Sequence, residues 1–182
     1  MAAPDAPLVE SARLLTPKLT DALQHAARSK GMTEAALLTA AWALVVARYA
    51  DEDCALFGLT ASGRPSDLPG VESAVGLFLN TVPFAVALAP DRQLGVWLQE
   101  IAETVSAVND HAHITMPELR SLSSIPADQP MFDHILVLEG MSLAGSVDRF
   151  AELDVQEYRF IDQTNFALNV GVQLGTPATL LV

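Results

Sequence analysis

Cysteine is almost missing from this 182-residue chain, where Cys54 stands alone. A single cysteine cannot close an internal disulfide, and no Cys/His set has zinc-finger spacing, so a packed core must supply the stability. The expected compartment is the cytoplasm. Positive charge is also scarce: ten Lys and Arg stand against twenty-two Asp and Glu, for a formal net charge of −12. Such a surface repels a phosphate backbone and speaks against nucleic acid as a partner. Half of the residues are apolar (51%), yet no uninterrupted apolar run approaches the roughly 20 residues of a bilayer span, so no membrane partner is expected. Met1 to Val9 lack the basic and then apolar regions of a secretory signal. There is no phosphate-binding Gly/Lys loop and no dinucleotide fingerprint. Ser142, within Gly-Met-Ser-Leu-Ala-Gly, lacks the spacing of a nucleophile elbow. No internal repeat or low-complexity segment is found.

What remains is a core-rich chain of a length that suits one domain. Residues 1–13 are Ala/Pro-rich and weakly patterned, as in a leader or linker. Structure is expected from Thr16, an N-cap followed by Pro17 at the first helical position, with Leu19, Leu23 and Ala26 on one face and Gly31 as the stop. Thr33 opens a second helix, to about Tyr49, that is apolar on nearly every side and so is expected to be buried all round. Ala55 to Ala61 reads as a strand, and Gly63, Pro65, Pro69 and Gly70 punctuate the loop after it. Val82, Phe84, Val86 and Leu88 alternate as a second strand, which Pro83 places at an edge, bulge or strand start.

From Asp91 to about Asp110 the residues Leu94, Trp97, Leu98, Ile101, Val105 and Val108 follow helical spacing, a stripe that must lie on a sheet. A short helix is expected near Met116 to Leu122. Ile135 to Leu138 is a continuous apolar strand of the kind buried on both faces. Met141 to Arg149 reads as a loop, Leu153 to Tyr158 alternates, and Phe166, Leu168, Val170, Val172 and Leu174 form a half-buried strand. Gly175-Thr176-Pro177 then turns the chain into a last strand from Ala178. Helices and strands in this order predict an α/β domain, a mixed β-sheet packed by helices.

The polar candidates read modestly by chemistry alone. His111 and His113 lie two apart at a helix end with no third ligand, and they suit the helix macrodipole better than a metal. Asp133 and His134, as neighbours on a strand, are expected to point to opposite faces rather than form a dyad. Asn80 and Thr81 at a strand start are expected to satisfy backbone groups in a turn. Arg64 is either paired with a nearby acid such as Glu72 or turned outward as an ion-pair donor, and Gly76 permits close backbone approach. No complete catalytic set and no metal site are found.

One segment is too particular for a generic core. Val75-Gly76-Leu77-Phe78-Leu79-Asn80-Thr81-Val82-Pro83 resembles the Gly-(Leu/Phe)-Phe-(Ile/Val)-Asn-Thr motif of nonribosomal peptide synthetase condensation domains. The resemblance extends to Leu14-Leu15-Thr16-Pro17 through Arg48-Tyr49, to Phe57 through Pro65, to Gln129-Pro130-Met131-Phe132-Asp133 with Ile135 to Glu139, and to Thr164-Asn165-Phe166-Ala167-Leu168. It departs where His111-Ala-His113 precedes a displaced Pro117 and where Glu139-Gly140-Met141 replaces Glu-Asn-Tyr.

The resemblance implies a chloramphenicol-acetyltransferase-like lobe, residues 14–182, equivalent to the C-terminal one of two. The family joins carrier-bound acyl groups into an amide through a His-His-x-x-x-Asp-Gly motif, and this chain has no such motif. Arg64, Gly76, Asn80 and Thr81 would then be tunnel-wall residues, with no catalytic residue in the chain. No cofactor would be bound directly, since substrates arrive on 4'-phosphopantetheine arms of carrier proteins. Carrier proteins, other synthetase domains and an N-terminal lobe would be the partners, and the isolated lobe is expected to self-associate. A non-catalytic interaction module, or half of a split acyltransferase, is the alternative.

Overall fold

The computed structural model describes residues 9–62, 64, 68–71, 73–89, 91–139, 164–175 and 177–182. The expected loop at 141–149, the alternation at 153–158, Ser142, Gly63, Pro65 and Glu72 lie outside the described residues. In chain order the elements are β1 (Ala12–Leu14), α1 (Pro17–Ser29), α2 (Glu34–Ala50), β2 (Cys54–Ser62), β3 (Leu79–Ala87), α3 (Leu94–Asp110), α4 (Met116–Leu122), β4 (His134–Glu139), β5 (Leu168–Gln173) and β6 (Thr179–Leu181). The strands form one mixed sheet in the order β1-β6-β5-β4-β2-β3. Its centre is parallel, β2 with β4 and β4 with β5, and its flanking pairs are antiparallel.

Neighbouring β4 residues show how the two faces are filled. Leu136 joins the main core with Phe57, Leu59, Phe84 and Val170, covered by Ala36, Ala40, Ala43 and Ala47 of α2 and by Trp97, Ile101 and Val105 of α3. Ile135 points the other way and packs with Met131 and Phe132 beneath Met116 and Leu119 of α4. This is the strand buried on both faces that its unbroken apolar run predicts. Gly58 of β2 lies against this second core, where an added Cβ would lie 2.4 Å from Phe132 Cε2 and 2.8 Å from Ile135 Cγ2. Glycine is therefore a packing requirement at that point. Pro83 lies in β3, at the sheet edge, where its missing N–H breaks no ladder.

The helix ends follow local chemistry. Thr16 and Thr33 cap α1 and α2 by accepting from the amides of Leu19 and Ala36, and Gly31 takes a left-handed φ of 64° just after α1. Four expectations are corrected. Ordered structure begins before Thr16, because Ala12–Leu14 pairs with β6, a backbone ladder that three weakly patterned residues do not announce. The buried side of α1 carries Thr20 and Ala27 rather than Leu19, since the Thr20 hydroxyl accepts from the Ala178 amide and ties the helix to the strand end. Helix α2 is not buried all round: one sheet and two helices cannot enclose it, and Leu44, Val45 and Tyr49 face solvent. Leu94, assigned to the buried stripe of α3, lies exposed in its first turn.

Candidate functional site

The Asn-Thr motif sits where β2 ends and β3 begins, at the carboxyl end of the parallel strands. Open α/β sheets place ligand sites at that end. Asn80 uses its whole amide there. Its Nδ2 donates to the carbonyls of Ala112 and Ile114, both at 2.8 Å, and its Oδ1 accepts from the Thr81 amide at 3.0 Å. The side chain thus pins the start of β3 to the turn between α3 and α4, the backbone role its chemistry suggests. The Thr81 hydroxyl meets that of Thr60 across the strands at 3.0 Å.

Arg64 folds onto the same loop. Its Nη1 donates to the carbonyl of Val71, and to that of Ala74 at 3.1 Å, while its guanidinium lies 4.0 Å above the Phe78 ring. These contacts fix the loop that precedes the motif. At Gly76 the atoms nearest an added Cβ belong to the Phe78 ring, the first at 3.3 Å. Around this fixed frame the apolar side chains point outward, with Val75 fully exposed, Leu77 91% exposed and Leu79 65% exposed. The structure therefore brings Asn80 and Thr81 together at one sheet end, with Arg64 on the adjoining loop.

The turn after α3 is equally tied. His111 Nδ1 donates to the Ala107 carbonyl at 2.8 Å, completing the last turn of α3 as expected of a histidine at a helix C-terminus. Thr115 and Glu118 form a reciprocal capping box that opens α4. The Thr115 hydroxyl and amide hold the Glu118 carboxyl below its ordinary pKa, and the charge of His113 adds to this. Between these anchors the His113 side chain is exposed.

Asp133 and His134 depart from expectation. His134 Nδ1 donates to Asp133 Oδ1 at 2.6 Å, because Asp133 precedes β4 and escapes strand alternation. That bond holds the Asp133 carboxyl below its ordinary pKa, against an opposing effect of burial. The pair does not make a working base, since His134 Nε2 is buried without a partner against Trp42 and Phe57. Among the described residues no three His, Cys, Asp or Glu side chains could hold a metal ion. A groove of about 460 Å³ opens at the opposite end of the sheet, lined by Leu44, Arg48, Leu94 and Trp97 among others, and none of the candidate residues lines it. Sequence reasoning missed Gly58 and the bracketing of His113 by Asn80; the motif spacing pointed to Asn80, but nothing in it pointed to the turn that Asn80 holds.

The mixed six-stranded sheet packed by helices is an α/β fold of the chloramphenicol-acetyltransferase-like kind, shared with solved condensation domains. The family model of the Condensation domain matches residues 9–180, and the chain belongs to that family. One of the linear gramicidin synthase subunits of Brevibacillus parabrevis is 35% identical over 162 residues, covering 89% of this chain and 3% of that protein. Surfactin synthase subunit 3 of Bacillus subtilis is 30% identical over 155 residues, covering 83% of this chain and 12% of its own length. The chain thus spans a small fraction of these relatives. Among solved structures, the condensation domain of the Monacolin K polyketide synthase MokA superposes with a TM-score of 0.72 at 15% identity, covering the whole of this chain and 44% of that one. A four-domain nonribosomal peptide synthetase bound to AMP and glycine gives 0.76 at 16% identity, over 95% of this chain and 14% of that one. At these identities the superpositions show the shared fold.

Proposed function

We propose that this chain is the C-terminal subdomain of a nonribosomal peptide synthetase condensation domain and forms one wall of the tunnel in which amide bonds are made. One observation carries the reading. The chain matches the family over residues 9–180 and covers 44% of a solved condensation-domain chain, yet it contains the Asn-Thr motif without the His-His-x-x-x-Asp-Gly motif. In the reaction, the amine of one carrier-bound substrate attacks the thioester carbonyl of another. The new C–N bond forms, the C–S bond breaks, and the carrier thiol leaves as the amine loses a proton. An N-terminal lobe brings the base for that proton, and the residues here provide alignment, which lowers the barrier by holding reactants in place. Asn80, Thr81 and Arg64 keep the wall in register, and substrates arrive on the 4'-phosphopantetheine arms of carrier proteins within an assembly of synthetase domains in the cytoplasm. Peptide antibiotic biosynthesis is the setting.

The direct check offers the isolated chain a donor acyl-carrier and a carrier-bound amine, with mass detection of the amide. No product above a protein-free control is expected. Clear turnover would overturn the reading, because it would place a base in the chain itself.

A further inference from the structure

We infer that Asn80 is a positioning residue whose purpose is to hold His113 as a substrate-binding group at the carboxyl end of the sheet; the inference rests on the reading of this chain as a tunnel wall. The two donors of the Asn80 amide go to the carbonyls of Ala112 and Ile114, the residues on either side of His113. The peptide that enters His113 and the one that leaves Ile114 are thereby held to β3. Ala112 is fully buried, and the Ile114 amide donates to the His111 carbonyl at 3.1 Å. One residue further on, Thr115 is locked in the capping box with Glu118. Every neighbour of His113 is tied down, while its own side chain is exposed.

Fold maintenance accounts for the bonds to Ala112 and Ile114, but not for the exposed histidine set between them. Loops are where folds carry function. An internal amide that uses both donors to hold the peptides around one exposed side chain fixes that side chain's origin before any ligand arrives. The Asn-Thr motif and the Arg64 loop stand at the same end of the sheet. An imidazole N–H held there suits a carbonyl oxygen, of a thioester or of the amides along a carrier arm.

The test pairs this chain with a separately made N-terminal lobe that carries the His-His-x-x-x-Asp-Gly motif, and measures amide formation from a donor acyl-carrier and an acceptor aminoacyl-carrier. His113→Ala should lower kcat/KM about tenfold with an unchanged thermal midpoint. His113→Gln, which still donates, should recover part of the loss. Asn80→Ala should lower both activity and stability, and the Asn80→Ala/His113→Ala double variant should be no slower than Asn80→Ala alone. The inference falls if His113→Ala stays within twofold of the parent, or if the two losses multiply in the double variant. An inactive parent pair would instead overturn the tunnel-wall reading, and this inference with it.

Discussion

Asn80 has every polar atom of its side chain bonded to backbone, and removing it leaves the Ala112 and Ile114 carbonyls without their donor. Abandoned partners keep their desolvation cost, so Asn80→Ala should destabilise the isolated chain by about 1–3 kcal/mol. Thr81→Ala removes a single hydroxyl contact and should cost less; equal denaturant midpoints for parent and Asn80→Ala would contradict the backbone role. Gly58→Ala forces a methyl into the Phe132 ring and Ile135, and overpacking of this kind costs about 1–3 kcal/mol in a chemical melt. Asp133 and His134 give a pH-linked expectation. The Asp133 carboxyl is held below its unfolded pKa, so the pair stabilises the fold above that pKa and loses the effect as pH falls through the folded one. His134→Phe should return the Asp133 titration, followed by NMR, toward the ordinary carboxylate range. It should also raise stability by about 1 kcal/mol, since a buried nitrogen without a partner is costly and a hydrogen bond to the exposed Asp133 carboxylate is worth little.

At the scale of elements, what was legible depended on whether local chemistry or tertiary packing decides the outcome. Thr16-Pro17 and Thr33 each mark a helix start because capping acts within one turn, and both act as caps. The alternation from Val82 to Val86 and from Leu168 to Val172 marks strands because one face must be buried. The face of α1 was not legible: Thr20 is buried by its bond to the Ala178 amide, whose partner lies 158 residues away. Nor was the exposed side of α2, since apolarity alone does not say how many neighbours will cover a helix. Asp133 misled for a narrower reason, lying one residue before the strand whose alternation was applied to it. At the site, Asn80 and its backbone role were legible from the motif and its residue chemistry. The turn that Asn80 grips was not, because its carbonyls lie more than thirty residues further along the chain.

At the scale of the whole molecule, Val75, Leu77 and, at the start of β3, Leu79 are exposed on a chain whose net charge is −12. A fixed frame that carries outward apolar side chains has the character of a surface built to be covered. Without its partner the chain should self-associate despite its charge, and light scattering should show dimers or larger species that dissociate on Leu77→Glu. The central claim is that this chain supplies the wall of a condensation site and another lobe supplies the base. Its most direct test is complementation: the chain and a separate N-terminal lobe bearing the His-His-x-x-x-Asp-Gly motif are assayed alone and mixed, with mass detection of the amide. Product is expected only from the mixture, rising with either lobe until the other is saturated. Product from this chain alone, or none from a mixture shown to form a stable one-to-one complex, would contradict it.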